Sequence, residues 1–491
     1  MSVKNVVQPL IIDRTVSSLC PTCLKVINAR IFQEGEAVMI EKRCEEHGNF
    51  KDIYWSDVTL YEKFMSYWID GLGIDGSSQI RQGCPFDCGL CMNHKTGTLL
   101  ANIDVTSRCN LSCPVCFADA GDSANEPTMD QLRGMMQILR DQRPVACSAI
   151  QFSGGEPTMR DDLPKIAALA RQLGFVHIQV ATNGLELARS PNLCKDLVRN
   201  GLTTIYLQFD GVTPEPYKTL RGRDLLPQKY QAIENLRAAK QMDIVLVPTL
   251  AKGVNDGQVG DIVKFAVSNS DVVKGVNFQP ISFTGRIDQA ERAKKRITIP
   301  DILSLLEDQT DSEITRDDFY PVSFVAPISS LISAEIGVSQ SSFTIHPCCG
   351  AGTYVYRVNG HIVPITRFVD VEGLMERVKE IVQDYDGSRL GRLKIKVMIL
   401  KELPKFIDES RVSGGLNHAG LLLNVFRNMA WESLAEFANN SLFIGIMHFQ
   451  DSYNMDLERL QRCGIHYILP DGKIIPFCSY NTVYRSRSTN K

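Results

Sequence analysis

The eight residues Cys109-Asn-Leu-Ser-Cys113-Pro-Val-Cys116 constrain this chain more than any other segment. Three thiolates at Cys-x3-Cys-x2-Cys spacing suit three irons of a [4Fe–4S] cube and leave the fourth iron open. An open iron is a reaction site, because a small molecule chelates it through nitrogen and oxygen. A structural zinc knuckle is the competing reading, but zinc sites of that kind close with a fourth protein ligand. Downstream, Ser153-Gly154-Gly155-Glu156-Pro157 directly follows the strand-like run Ser148-Ala149-Ile150-Gln151-Phe152.

A cysteine loop of this spacing followed by a Gly-Gly-Glu turn resembles the radical S-adenosylmethionine (SAM) superfamily. The resemblance implies that Cys109, Cys113 and Cys116 hold a catalytic cluster. It also implies that Gly154, Gly155 and Glu156 hold the methionine end of SAM, with the ribose near Asn183.

From 102 to about 300 the pattern alternates strand and helix. Strand-like runs lie at 102–106, 148–152, 177–181, 203–209, 244–249 and 275–279. Between them Leu132, Met135, Met136 and Leu139, and then Leu163, Ile166 and Leu169, follow helical spacing. Six βα units in succession predict an α/β fold, a partial (β/α)6 TIM-like barrel with its helices outside. Such sheets bind ligands at the carboxyl ends of their strands. Polar residues recur there: Cys109, Gly154-Gly155-Glu156, Thr182-Asn183-Gly184, Asp210, Thr249 and Gln279 follow or end strands one to six. Each alone has a plain turn reading; the ring of them is a predicted cofactor site.

The chain has 491 residues, long enough for three or four domains. Its 15 cysteines form groups that read as metal sites and not as disulfides. Residues 1–75 are predicted to be an N-terminal mononuclear metal domain. Cys20-Pro-Thr-Cys23 and Cys44-Glu-Glu-His47 there pair two knuckles suited to one tetrahedral iron or zinc. Residues 76–101 carry a second Cys-x3-Cys-x2-Cys, at Cys84, Cys88 and Cys91, read as an auxiliary iron–sulfur segment. It lacks both the preceding strand and the Gly-Gly-Glu turn that mark the 102–300 barrel. Residues 301–491 hold Cys348, Cys349, Cys463 and Cys478, with a cysteine before each of the hairpins at Asn359-Gly360 and Asp471-Gly472. The hairpins are expected to meet and share a cluster, in a C-terminal domain that binds auxiliary iron–sulfur and substrate. Cys147 and Cys194 stand alone and read as small core residues.

Net charge is −3, which leaves no electrostatic footprint for nucleic acid. No secretory pattern and no uninterrupted transmembrane run are visible, so a cytoplasmic protein is expected, at most peripheral at the inner membrane face. The apolar stretch Ala419–Phe426, with Trp431, Leu434 and Phe437 after it, reads as core or as a greasy wall facing lipid.

Longer motifs extend the resemblance over nearly the whole chain. Asp52-Ile-Tyr-Trp-Ser-Asp57, Gly83-Cys84-Pro-Phe-Asp-Cys88-Gly-Leu-Cys91, Val105-Thr-Ser-Arg-Cys109-Asn-Leu111, Cys349-Gly-Ala-Gly-Thr-Tyr354 and Asp471-Gly-Lys-Ile-Ile-Pro-Phe-Cys478 resemble the archaeal tetraether lipid synthase family. Relatives of that family have also been assigned to pterin methylation. The resemblance implies carbon–carbon coupling between terminal methyl groups of isoprenoid ether lipids, with SAM, several [4Fe–4S] clusters and a rubredoxin-like iron. It also implies an electron donor of ferredoxin or flavodoxin type. Two SAM cleavages per bond are expected, with the first lipid radical held at the cluster of Cys349, Cys463 and Cys478. The family carries a further cysteine where this chain has Lys95-Thr-Gly-Thr98-Leu99, so His94 is the candidate fourth ligand of the Cys84 set. Alternatives are a radical SAM methylase of a pterin or other small substrate, a peptide-modifying maturase, and a non-catalytic zinc-rich scaffold.

Overall fold

The computed structural model describes residues 12–76, 78–121, 126–408 and 441–485. The apolar stretch at 419–437 lies outside the described residues.

Four antiparallel strands, β1 (Asp13–Leu19), β2 (Val26–Glu34), β3 (Ala37–Cys44) and β4 (Gly48–Trp55), open the fold in the order β1-β2-β3-β4. Alternate residues Val16, Ala29, Ile31, Val38 and Ile40 are buried, the period-2 signature of a sheet with one packed face. That face meets helix α1 (Val58–Met65), where Phe64 lies 5.5 Å from Trp55. Asp57 caps α1 by accepting a hydrogen bond from Leu60 N at 2.8 Å.

The six predicted strands appear as β5 (Leu100–Thr106), β6 (Ala149–Gly154), β7 (His177–Thr182), β8 (Thr204–Gln208), β9 (Asp243–Val247) with its short continuation β10 (Thr249–Leu250), and β11 (Val273–Pro280). β5, β6, β7, β8, β9 and β11 lie parallel, side by side in chain order. Intervening helices include α2 (Met129–Arg140), α3 (Leu163–Gln172), α4 (Leu185–Arg189), α5 (Pro191–Arg199), α6 (Pro214–Arg221), α7 (Leu226–Ala239) and α8 (Val259–Ser268). Their buried stripes pack with Ile150, Phe152, Ile178, Val180, Ile205, Leu207, Ile244 and Leu246 in one core. Cys147 and Cys194 belong to that core, each fully buried.

The sheet does not stop at residue 300. A short β12 (Tyr320–Pro321) and the hairpin of β13 (Gly350–Val358) and β14 (His361–Pro364) attach through β13 to β15 (Leu442–Met447), which lies parallel to β11. At the other edge β16 (Ile465–Ile468) lies parallel to β5 and pairs with β17 (Ile474–Pro476). Both open edges of the parallel run are thus covered by C-terminal strands, as unpaired edges require. A flat sheet would hold β15 and β16 roughly 34 Å apart at ordinary strand spacing. Instead Arg459, just before β16, donates to the carbonyls of His448 (3.0 Å) and Cys348 (3.1 Å) beside β15 and β13. The sheet therefore curls into a barrel-like wall, helices outside.

Its inner face is polar. Gln151 donates to Asn102 and Gln179 to Gln151 across register-paired positions of β5, β6 and β7. Further round, Asn277 and Gln279 donate to the Tyr206 hydroxyl.

The ribbon sheet is fastened to the barrel through a buried ion-pair junction. Arg296 reaches Asp451 at 2.7 and 3.1 Å and Asp52 of β4 at 2.8 Å. Burial alone would raise the Asp451 carboxyl, but the Arg296 guanidinium outweighs it and holds the group at about 2. The ordinary value is 3.8, so stability from this pair is intact above that pH and is lost as pH falls through about 2. Arg296→Met leaves the Asp451 charge buried without its partner. A loss of about 3–5 kcal/mol at neutral pH is expected from urea denaturation midpoints.

Candidate active site and metal centres

The N-terminal centre is the most complete of the four cysteine groups. Cys20 follows β1, Cys44 ends β3, and tight turns through Leu24 (φ 60°) and Gly48 (φ 78°) bring Cys23 and His47 back to them. The ligand atoms of Cys20, Cys23, Cys44 and His47 all lie within 4.8 Å of one another. Tetrahedral bonds of about 2.3 Å put ligand atoms about 3.8 Å apart. Here Cys23 and Cys44 are 3.9 Å apart, Cys20 and His47 Nδ1 3.8 Å, and Cys44 and His47 Nδ1 3.4 Å. Donor set and spacing fit a single zinc or iron ion.

The Cys109 loop is built by close backbone approach. An ideal Cβ on Gly154, whose φ is +126°, would stand 2.0 Å from the Thr106 carbonyl oxygen, and one on Gly155 2.1 Å from that of Arg108. Glycine at both places lets Gly155 N donate to Thr106 O (2.8 Å) and Glu156 N to Arg108 O (2.7 Å). The far end of the loop is held by reciprocal bonds of 2.9 Å between Cys116 and Arg286, after β11. Burial, with the charges of Glu156 and the other two thiols, pushes Cys109 up to about 12. Burial likewise raises Cys113, opposed by the Arg221 guanidinium. Three half-buried thiols on one loop, two of them raised by burial and neighbouring charge, are a donor set that fits an iron–sulfur cluster.

Glu156 is 1% exposed and saturated from within. It accepts from Thr158 N and Oγ1, from Thr182 Oγ1 at 2.7 Å and from Asn183 N at 2.7 Å. Burial raises its pKa against those donors. Glu156 therefore acts on the turn after β7, and Asn183 in turn donates to Asn110 of the cysteine loop at 2.7 Å. Asp210 is equally engaged: Arg221 grips it with two bonds of 2.8 Å and also donates to Thr249 Oγ1 (2.9 Å) and Val115 O (3.1 Å). Asp210 and Thr249 thus place a guanidinium beside Cys113. Gln279 is bound to Tyr206.

Sequence reasoning missed Arg221, Arg286 and Lys229. Lys229 is fully buried, donates to Asn183 O and to Gln208 Oε1 (3.3 Å), and is lowered to about 8 by desolvation. Its signal was available, since Lys229 stands between Leu226 and Ile233 on the apolar stripe of α7.

The other two groups adjoin each other. Asp87 collects the backbone N–H groups of Arg81, Gln82 and Gly83 and shapes the Cys84–Cys91 loop. A hydrogen bond shared with Cys88 pushes Cys84 up and Cys88 down. Cys88 Sγ lies 4.0 Å from Ser479 Oγ, next to Cys478, and its charge acts on Cys463. The His94 ring is turned to the Cys463 carbonyl (2.8 Å) and to His466 Nε2 (3.1 Å). Leu99 packs on Gly464. Burial and neighbouring thiols raise Cys463, to about 12, and Cys478; Cys349 acts on both. Cys348 points elsewhere, into the main core with its sulfur 3.8 Å from that of Met65.

Two substitutions separate the centres. Cys44→Ser should remove the single bound metal, measured as zinc or iron per chain, and leave the cluster absorption of the Cys109 site. Gly154→Ala forces a side chain into the Thr106 carbonyl and should do the reverse, abolishing that absorption while the ribbon metal remains.

Residues 103–266 match the model of the radical SAM superfamily, and residues 12–56 match that of the HMPTM N-terminal zinc ribbon domain. The chain is 48% identical, over 98% of its length and 95% of the relative's, to a 7,8-dihydro-6-hydroxymethylpterin dimethyltransferase of Methanocaldococcus jannaschii. It is 28% identical to a probable GTP 3',8-cyclase of Methanothermobacter marburgensis, over 37% of this chain and 58% of that protein. Among solved structures, Streptococcus suis SuiB bound to its precursor peptide SuiA covers 45% of this chain and 47% of its own, at 18% identity and a TM-score of 0.38. The near full-length relative overturns the expected lipid chemistry. The expected isoprenoid coupling and ether-lipid partner are therefore not supported: the relative matched over nearly the whole chain is named for a pterin and not for a lipid. Among the described residues no helix is long and apolar enough to cross a membrane. With 48% identity along almost its entire length, the chain belongs to the 7,8-dihydro-6-hydroxymethylpterin dimethyltransferase family of the radical SAM superfamily.

Proposed function

We propose that this protein methylates a reduced pterin, of the kind named for its 48% identical relative, by radical SAM chemistry. The observation that carries the reading is that relative's match over nearly the whole chain, ribbon and C-terminal strands included. The polar inner face of the barrel supports it, because a pterin needs hydrogen-bonding partners on several edges.

When bound, a [4Fe–4S] cluster with SAM supplies the reducing electron and the radical that opens an unactivated C–H bond. The chain's own residues hold and shield that chemistry. Cys109, Cys113 and Cys116 are the three iron ligands. Glu156 fixes the Asn183 turn, which faces the loop through Asn110. Arg221, Arg286 and Lys229 bring positive charge to the thiolate side of the site. Phe117, directly after Cys116, packs with Phe449 (5.7 Å) and Phe477 (5.2 Å) and closes the loop against water. The Cys84 set and the set of Cys349, Cys463 and Cys478 are read as auxiliary iron–sulfur ligands, and the ribbon metal as structural. Reducing equivalents come from a ferredoxin- or flavodoxin-type donor.

Anaerobic, iron-loaded protein supplied with SAM, a reductant and 7,8-dihydro-6-hydroxymethylpterin should yield pterin heavier by one and then two methyl groups in mass spectrometry. Cys113→Ser should release no 5′-deoxyadenosine and leave the pterin unchanged, since two thiolates do not hold the cube. Full cofactor turnover with unaltered pterin would overturn the reading.

A further inference from the structure

Arg459 is the most deeply buried arginine among the described residues, at 1% exposure. Burying a cation is costly unless a partner charge accompanies it. The other buried arginines obey that rule: Arg160 pairs with Asp162, Arg296 with Asp52 and Asp451, and Arg462 with Asp70. Among the described residues Arg459 pairs with no carboxylate. Its Nη2 is spent on two neutral carbonyls, those of Cys348 and His448, and its Nε and Nη1 have no hydrogen-bond partner. The Tyr54 ring, 5.5 Å from the guanidinium, returns only part of the lost hydration.

Beside it lies the C-terminal thiol set. Cys349 follows Cys348 directly, and its carbonyl accepts from His448 N at 2.9 Å, so the two carbonyls that Arg459 grips flank Cys349. The Cys349 thiol acts on the guanidinium by charge and by side-chain contact, and the guanidinium acts on Cys478. Cys349 in turn acts on Cys463 and Cys478. His448 is also 1% exposed, and neither of its ring nitrogens has a partner. Two buried side chains with unused donors beside one thiol mark a place where a negatively charged group belongs. A [4Fe–4S] core bound by thiolates is such a group, a net anion that gains further negative charge on reduction.

We propose that Arg459 is the counter-cation of an auxiliary iron–sulfur cluster on Cys349, Cys463 and Cys478, its unused N–H groups donating to sulfur there and raising the cluster's reduction potential. The role rests on the auxiliary-cluster reading of these thiols given above. Reduction takes one electron from the ferredoxin- or flavodoxin-type donor and adds negative charge next to a fixed positive one. The reduced state is therefore stabilised more than the oxidised one. Hydrogen bonds to cluster sulfur act in the same direction. An Arg459 that only ties the ends of β13 and β15 through two carbonyls would hold the barrel closed without moving that potential.

The test is a redox titration of the iron-loaded full chain followed by electron paramagnetic resonance. The wave of this cluster is identified as the one that Cys349→Ala removes. Arg459→Met should move that wave to a more negative potential and leave the others in place. Arg459→Lys, which keeps the charge but loses the planar fork, should move it less and in the same direction. An unmoved wave in Arg459→Met would overturn the role, as would an unmoved wave in Arg459→Lys should the methionine variant hold no cluster. Loss of this cluster from both variants would make Arg459 a folding element and overturn the role as well. If Cys349→Ala removes no wave, the auxiliary reading of these thiols fails and the role with it, while the Cys109 site and pterin methylation stand.

Discussion

The contact between the glycine turn of β6 and the cysteine loop after β5 sets the geometry on which the rest depends. Two carbonyl oxygens, of Thr106 and Arg108, occupy the space where side chains of residues 154 and 155 would be. That approach converts a flexible loop into one paired edge-on with its neighbour, and the chain of constraint continues from there. Glu156 is carried inward, takes the N–H of Asn183, and Asn183 returns to Asn110 inside the loop. Each turn around the cysteine loop is thus fixed by the next, through backbone bonds that depend on glycine at 154 and 155.

The C-terminal segments complete this arrangement in a way that explains the order of the chain. A six-stranded parallel run leaves two open edges and an unclosed inner face. β15 and β16 cover those edges, and the stretch between them, through Asp451 and Arg459, crosses the gap. Asp451 also receives Arg296, which holds the ribbon sheet through Asp52. The barrel's closure and the docking of the N-terminal metal domain therefore share one buried junction. Damage to it should be felt in both.

Much of the fold was readable because the strands of a parallel sheet are short apolar runs and the helices between them carry strong stripes. The six central strands and the hairpins at Asn359-Gly360 and Asp471-Gly472 follow from local chemistry alone. β15 and β16 did not, since a strand's place at a sheet edge is decided by long-range pairing and leaves no local mark. The same holds at the site. Cysteine spacing announces a metal, whereas Asp210 and Thr249, expected at the strand-end cofactor site, both accept from Arg221, a residue with no motif of its own. Glu156 is likewise an internal clamp. Polar residues at strand ends mark where a site is, not which of them face its contents.

The same distinction bears on the choice between the lipid expectation and the pterin proposal. Motifs shared with lipid-coupling enzymes lie in the metal loops and in the strands that frame them, and those elements serve radical chemistry whatever is being attacked. Substrate chemistry is written on the surface facing the reactive centre. There Asn102, Gln151, Gln179, Tyr206 and Asn277 line successive strands, and Asp104 pairs with Arg485. Desolvating such a wall against hydrocarbon would forfeit hydrogen bonds with nothing returned. A wall of mutually hydrogen-bonded amides instead suits the polar substrate class proposed above, named for the 48% identical relative.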